Sequence, residues 1–392
     1  DKPPAMTNDT LPAPSPSTAT IDTRPCLRGM AMANMAALLE RGGFQGYRAK
    51  QLYHWVHRHG ARSFDEMTNL PKAMRSWLAE NAQFGGIARV VTEKASADGS
   101  TKFLFEFADG LKVESVLMPG VGEQPDRMTL CISSQVGCAV DCKFCVTGKN
   151  GFFRHMTTAE IVDQALYARH YLARLDDGRV LRNIVFMGMG EPLLNTPNVI
   201  PAIRVFIDAE GMDFSPRRVT VSTSGILPGL RELVDTGTNV ALAISLNAPT
   251  AELREEIMPI TRKYPLEELL ALCREIPLGR QRITFEYVLM KGLNDSERHA
   301  RQVIKAVHGI PCKMNVIPYN PDPSLPYERP DDGTIDRFCA ALRAAHLTVS
   351  VRWSKALDVS GACGQLAGQY RQKAPDGKRV ILPRETEPAI TG

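Results

Sequence analysis

The stretch Met128-Thr-Leu-Cys131-Ile-Ser133-Ser-Gln-Val-Gly-Cys138-Ala-Val-Asp-Cys142-Lys-Phe-Cys145 joins a short apolar run to three cysteines within eight residues. Thr129–Ser133 has the length and composition of a buried strand, and the thiols follow where a βα unit turns from sheet to helix. The pattern recurs downstream. Strands are expected at Asn183–Met187, Arg218–Ser222, Val240–Leu246, Arg282–Leu289 and Lys313–Ile317, with Leu347–Val351 near the end. Helical spacing fills the gaps, for example Thr158–Leu172, Leu266–Ile276 and Ser296–Val307. Repeated βα units with short apolar strands imply a parallel sheet covered by helices. About six units are too few for an eight-stranded closed barrel. The expected fold is α/β, a partial (β/α)6-type barrel over residues 127–370, with active residues at the C-terminal strand ends.

Upstream, residues 87–126 alternate like strands. Phe103, Phe105 and Phe107 share one face, and Val113, Ser115 and Leu117 share a face of the next run, so a short antiparallel β connector is expected. Residues 26–86 have helical spacing, marked by Met35, Leu38 and Leu39, then Leu52, Trp55 and Val56, then Met74, Trp77 and Leu78. Arg48, Lys50, Arg58, Arg62, Lys72 and Arg75, with His54, His57 and His59, are opposed there only by Asp65 and Glu66. This composition fits either a basic RNA-binding module or an ordinary solvated surface. Residues 1–25 are rich in proline and poor in large apolar side chains and read as a disordered leader. Residues 371–392 read as a loose tail.

Apolar residues make up 44% of the 392-residue chain and charged residues 23%, enough for a full-sized core, which excludes a wholly disordered protein. No apolar run is long enough to span a membrane. Net charge is +4, compatible with a polyanionic partner without demanding one. Nine unevenly placed cysteines and no signal-like N-terminus suit a reducing cytoplasm, where clustered thiols mean metal or redox chemistry.

Thiols this close suit zinc or an iron–sulfur cluster. Structural zinc wants four ligands, and Cys131 could supply the fourth; a cubane on three thiolates leaves one iron open. Gly188 and Gly190 could let backbone approach a ligand, or could merely make a βα turn. On composition alone Cys363 is an idle thiol and Glu114 an exposed strand carboxylate.

Cys-x3-Cys-x2-Cys with an aromatic before the last cysteine resembles the radical S-adenosylmethionine (SAM) superfamily. Gly188-Met-Gly190-Glu191-Pro192, Ser222-Thr-Ser-Gly225, Ser245-Leu246-Asn247-Ala-Pro249, Asn315-Val-Ile-Pro-Tyr-Asn320 and Ala362-Cys363-Gly-Gln-Leu366 follow in order. Together, over roughly Met35 to Gly368, they resemble RlmN-type RNA adenine-C2 methyltransferases. The resemblance implies a [4Fe-4S] cluster on Cys138, Cys142 and Cys145. It implies SAM, two per turnover, along Gly190 and Glu191 and contacted by Ser222, Ser245, Leu246, Asn247 and Asn320. Many relatives have histidine at Asn247. Cys363 would become S-methylated and carry the methyl group, Cys131 would resolve the adduct through a transient disulfide, and Glu114 would accept a proton. Cys26, Cys273, Cys312 and Cys339 match no role.

The implied substrates are an adenosine at the peptidyl-transferase centre of 23S rRNA and the adenosine 3′ of the anticodon in tRNA. Lys143, Lys149, Arg154 and Arg217-Arg218 would add positive charge at the site mouth. Carbon 2 of adenine is electron-poor and cannot attack a sulfonium methyl, so radical addition is chemically required. An electron donor of flavodoxin-like kind is implied, and a monomer is sufficient. Two alternatives stand: methylation at carbon 8, as in Cfr-type enzymes, and a zinc-stapled RNA-binding protein without catalysis.

Overall fold

The computed structural model describes residues 22–120, 122 and 124–366. The leader up to residue 21 and the whole tail at 371–392 lie outside the described residues. Residues 22–25 pack on the helical module: the Gln83 amide donates to the carbonyls of Asp22 and Arg24, at 2.9 Å each.

Three helices, Met32–Arg41, Ala49–Tyr53 and Lys72–Asn81, enclose a small core of Met35, Leu38, Leu39, Leu52, Val56, Met74 and Leu78. The second widens into a π-type turn over His54–Arg58. Part of the basic set expected here is spent on ion pairs and hydrogen bonds with the barrel, although Lys50, Arg58, Arg62 and Lys72 stay exposed. Glu210 pairs with Lys50 at 2.9 Å and His54 at 2.6 Å, Asp213 takes Arg58 at 3.4 Å, and Arg58 also donates to the Ala209 carbonyl. Arg62 meets His170 at 3.1 Å. His57 is fully buried, accepts from the Gly29 amide, and is held neutral by burial, its pKa lowered to about 3. Opposite charges therefore dock the module on the barrel.

Strands β1 (Arg89–Ala95), β2 (Thr101–Glu106) and β3 (Lys112–Met118) form an antiparallel meander. β4 (Arg127–Cys131) pairs antiparallel with β3 through Val116 and Cys131, so the connector is one sheet with the barrel. β5 (Gln135–Gly137) and β6 (Phe152–His155) make a separate hairpin. β7 (Val180–Phe186), β8 (Val219–Thr223), β9 (Ala241–Ser245), β10 (Ile283–Leu289), β11 (Cys312–Pro318) and β12 (Thr348–Val351) continue from β4 in order, all parallel. The result is a partial barrel, its main core formed by apolar strands under the covering helices. Helix Thr158–Leu175 starts at a reciprocal cap between Thr157 and Glu160 and ends at a left-handed Asp176.

β3 departs from the expected half-exposed pattern. Val113–Leu117 are all buried. Helix Thr158–Leu175 covers one face, where Ser115 donates to Gln164 at 2.6 Å. The loop Ala356–Gly361 covers the other, fastened by Ala356 to Asp98 and by Lys102 to the Ser360 carbonyl. No helix among the described residues is long and apolar enough to cross a membrane.

Candidate active site

The β5–β6 hairpin carries the cysteine loop. The Cys138 amide donates to the Gly151 carbonyl and the Cys145 amide to that of Cys142, while Asp141 turns the chain at φ 58°. Burial raises all three thiols; Cys138 adds to the rise at Cys142, and Cys145 adds to it at both Cys138 and Cys142. Thiols in such surroundings stay protonated unless a metal takes the proton's place. No group of three or more His, Cys, Asp or Glu side chains among the described residues converges on a single ion. Cys131 lies outside the cavity lining at the end of β4, near enough to Cys363 for that thiol to add to the rise that burial causes. The three loop thiols all face one cavity, at a spacing that suits an iron–sulfur cluster.

The cavity, about 180 Å³, lies at the C-terminal ends of the parallel strands. Cys138, Cys142, Cys145, Gly190, Glu191, Ser222, Ser245, Asn247, Asn320 and Cys363 all line it. Leu246 does not: its side chain is in the core, and only its backbone takes part, accepting from Arg254 at 3.2 Å. Cys131, at the end of β4, and Glu114, in the middle of β3, lie behind the lining.

Gly190 adopts φ +95°, and a Cβ there would sit 2.4 Å from the Gln135 Cβ, so packing against β5 already requires glycine. Both carboxylate oxygens of Glu191 are used internally. Oε2 accepts from the Ser224 amide and hydroxyl at 2.7 Å each, and Oε1 from the Leu193 amide at 3.0 Å. Burial raises its pKa and these bonds oppose the rise. Asn247 is left-handed at φ 56°; its Oδ1 accepts from the Val288 amide at 2.9 Å, tying β9 to β10.

The cysteine loop and the Cys363 loop are joined directly. The Val146 amide donates to the Gly364 carbonyl at 2.8 Å, and the Thr147 hydroxyl to that of Leu366 at 3.0 Å. Asn320 donates to Ser354 Oγ and reaches the Cys363 carbonyl at 3.4 Å. Cys363 is open to the cavity yet walled by protein, which raises its thiol. Cys131 and Cys363 are both free thiols, and no disulfide links them.

Three expected placements change. Glu114 is not an exposed strand carboxylate but a buried one, paired with Lys102. Arg217 and Arg218 precede β8 and stand at the opposite end of the barrel from the cavity, because the strand runs away from them. Arg154 is spent on Asp109 and Glu160. Three residues at or behind the cavity wall gave no sequence signal. Arg254 is fully buried and donates to the carbonyls of Ser224, Ser245 and Leu246 and to Thr261; burial lowers it to about 10. Glu286 and Arg352 complete the wall.

Residues 132–303 match the Radical SAM superfamily, and residues 26–84 match the ribosomal RNA large subunit methyltransferase N-terminal domain. The dual-specificity RNA methyltransferase RlmN of Anaeromyxobacter dehalogenans is 45% identical over 89% of this chain and 93% of its own. The chain belongs to the RlmN family of radical SAM RNA methyltransferases. Another RlmN, from Geobacter sulfurreducens, is 45% identical over 91% of this chain and 96% of its own. A radical SAM methyltransferase from Sphaerobacter thermophilus has the same fold, with TM-score 0.82 and 41% identity over 88% of this chain and all of that one. A [4Fe-4S] cluster and SAM are the cofactors of radical SAM enzymes, and in this RlmN-family cavity the three loop thiols are the residues suited to hold the cluster.

Proposed function

We propose that the chain methylates carbon 2 of adenine in RNA, with Cys363 carrying the methyl group. The observation that supports this most is the placement of Cys363: it lines the same cavity as the cysteine trio, its loop is hydrogen-bonded to theirs, and Cys131 stands behind it. A single thiol near a cluster could be incidental; a second thiol within electrostatic reach of it fits a carrier and its resolver.

When bound, the cluster and SAM supply a carbon radical able to take hydrogen from an S-methyl group. Cys363 as thiolate first takes a methyl from one SAM, so two SAM are used per turnover. After hydrogen loss, the carbon on Cys363 adds to the ring carbon. The addition leaves one unpaired electron on the ring; as that electron returns to the cluster, Glu114, held by Lys102, accepts the ring proton and aromaticity is restored. Cys131 attacks the Cys363 sulfur, forming a disulfide as the carbon–sulfur bond breaks and the product carbon is protonated. Gly190, Glu191, Ser222, Ser245, Leu246, Asn247 and Asn320 are the proposed SAM-binding positions, several acting through backbone or strand-end geometry.

The proposed substrates are 23S rRNA at the peptidyl-transferase centre and tRNA 3′ of the anticodon, in keeping with relatives named dual-specificity. A 180 Å³ cavity accepts the reacting groups only if the target base leaves its stack. The module at residues 26–86 would contact RNA through the face that does not dock on the barrel. A small flavodoxin-like protein would supply electrons, and one chain suffices.

The test is anaerobic turnover with Cys131→Ala, which should trap a protein–RNA adduct visible on a denaturing gel. Normal turnover by that variant refutes the resolving role. Adenine deuterated at carbon 2 or carbon 8 decides position: loss of the carbon 8 label would reassign the product. Zinc without iron in anaerobically purified protein would favour the non-catalytic reading.

A further inference from the structure

The cavity has two electrically distinct ends. At one, the cysteine trio lies near Glu191 and the guanidinium of Arg254. At the other, Cys363 and Cys131 both feel Arg352, and Cys363 also feels Glu286. Glu286 comes from the middle of β10, in register with Ser245 on β9 and Asn315 on β11. It is 5% exposed and forms part of the cavity wall. Its Oε1 accepts from the Asn315 amide group at 2.9 Å. Its Oε2 is buried and has no hydrogen-bond partner among the described residues.

Burial pushes the Glu286 carboxyl up, while the charge of Arg352 and the Asn315 hydrogen bond oppose the rise. Whenever it is ionised, Oε2 can only accept, and leaving it dry and unpaired is costly. Such an atom on a cavity wall calls for a donor from the occupant. The donors SAM offers are its ammonium group, its adenine amine and two ribose hydroxyls. Under the function proposed above, on which this inference rests, the ammonium belongs at the cluster end. The carbon that must reach the methyl on Cys363 is attached to the ribose, so the ribose belongs between Ser245 and Cys363. Glu286 stands in that interval. We propose that Glu286 is a SAM-binding residue whose Oε2 accepts a hydrogen bond from a ribose hydroxyl. Asn315 is its positioning residue, fixing the other carboxylate oxygen.

The test is equilibrium binding of S-adenosylhomocysteine, and of its 2′-deoxy and 3′-deoxy forms, to the cluster-loaded enzyme without reductant. A hydrogen bond to a charged acceptor predicts that the wild type loses roughly ten- to a hundredfold in affinity for one deoxy form. Glu286→Gln should lose a similar factor for S-adenosylhomocysteine itself and show little further loss with that deoxy form. Equal wild-type affinity for all three ligands overturns the proposal. So does unchanged binding in Glu286→Gln, or a defect confined to RNA binding, which would move the residue to the target base. Should Glu286→Gln fail to fold, Asn315→Ala makes the same comparison, its loss again vanishing with the deoxy form. A wild type that binds none of the ligands refutes the proposed function instead.

Discussion

Lys102 Nζ lies 2.9 Å from Glu114 Oε1 inside the sheet, with both side chains almost wholly sealed from water. A buried pair of this kind is stabilised by its mutual attraction against a large desolvation cost, so removing one partner is worse than removing both. Lys102→Met should destabilise by about 3–5 kcal/mol, read from denaturant unfolding, and Lys102→Met with Glu114→Gln should recover much of the loss. If the double variant is as unstable as the sum of the singles, the carboxylate does not depend on this partner.

Glycine matters at Gly190 for a reason that Gly151 does not share. Both have positive φ, +95° and +79°, but a Cβ at Gly190 meets Gln135 while one at Gly151 meets nothing within 4 Å. Gly151→Ala should cost about 1 kcal/mol from backbone strain alone. Gly190→Ala adds overpacking of about 1–3 kcal/mol and should lower the iron bound per chain. Equal melting shifts for the two variants would remove the packing argument.

The contrast also shows what could be read before folding. Strand positions in the barrel were legible because β4 and β7–β11 are short apolar runs separated by helical spacing, and that signal is local. The cysteine trio was legible because its spacing is local too. The burial of Glu114 and the ion pairs of the basic module were not legible for the opposite reason: their partners, Lys102 and the loop at Ala356–Gly361, or Glu210 and Asp213, are supplied by the tertiary fold. Arg254 and Glu286 are single charged letters in ordinary helix and strand. Only the tertiary fold brings Glu286 to the cavity wall and Arg254 behind it, against the ends of β8 and β9.

Arg254 shows what such a residue does. Its guanidinium spans the ends of β8 and β9, satisfying the carbonyls of Ser224, Ser245 and Leu246. Arg254→Ala strands these acceptors in a buried place and should cost about 3 kcal/mol or more. Arg254→Lys, lacking the planar fork, should rescue only part of it. Differential scanning calorimetry with iron analysis checks both; full rescue by lysine would mean that charge beside Cys142, rather than the hydrogen bonds, is what matters.

Titration of Cys131 gives the last prediction. Burial pushes its thiol up to about 12, with Cys363 adding to the rise and Arg352 opposing it. In the unfolded chain the same thiol titrates near 9. The folded state therefore holds a proton that the unfolded state releases, and stability falls as pH rises from about 9 through about 12. Cys273, also raised to about 12 by burial, adds to the same slope. Unfolding free energy measured by denaturant between pH 8 and 11 should fall with pH, and less steeply in Cys131→Ala. Native alkylation at about pH 8 should spare Cys131, which should label once denaturant is added. Rapid native labelling of Cys131 would show its thiol to be solvent-open, and would leave the resolving step without the shielding that keeps it idle until Cys363 is loaded.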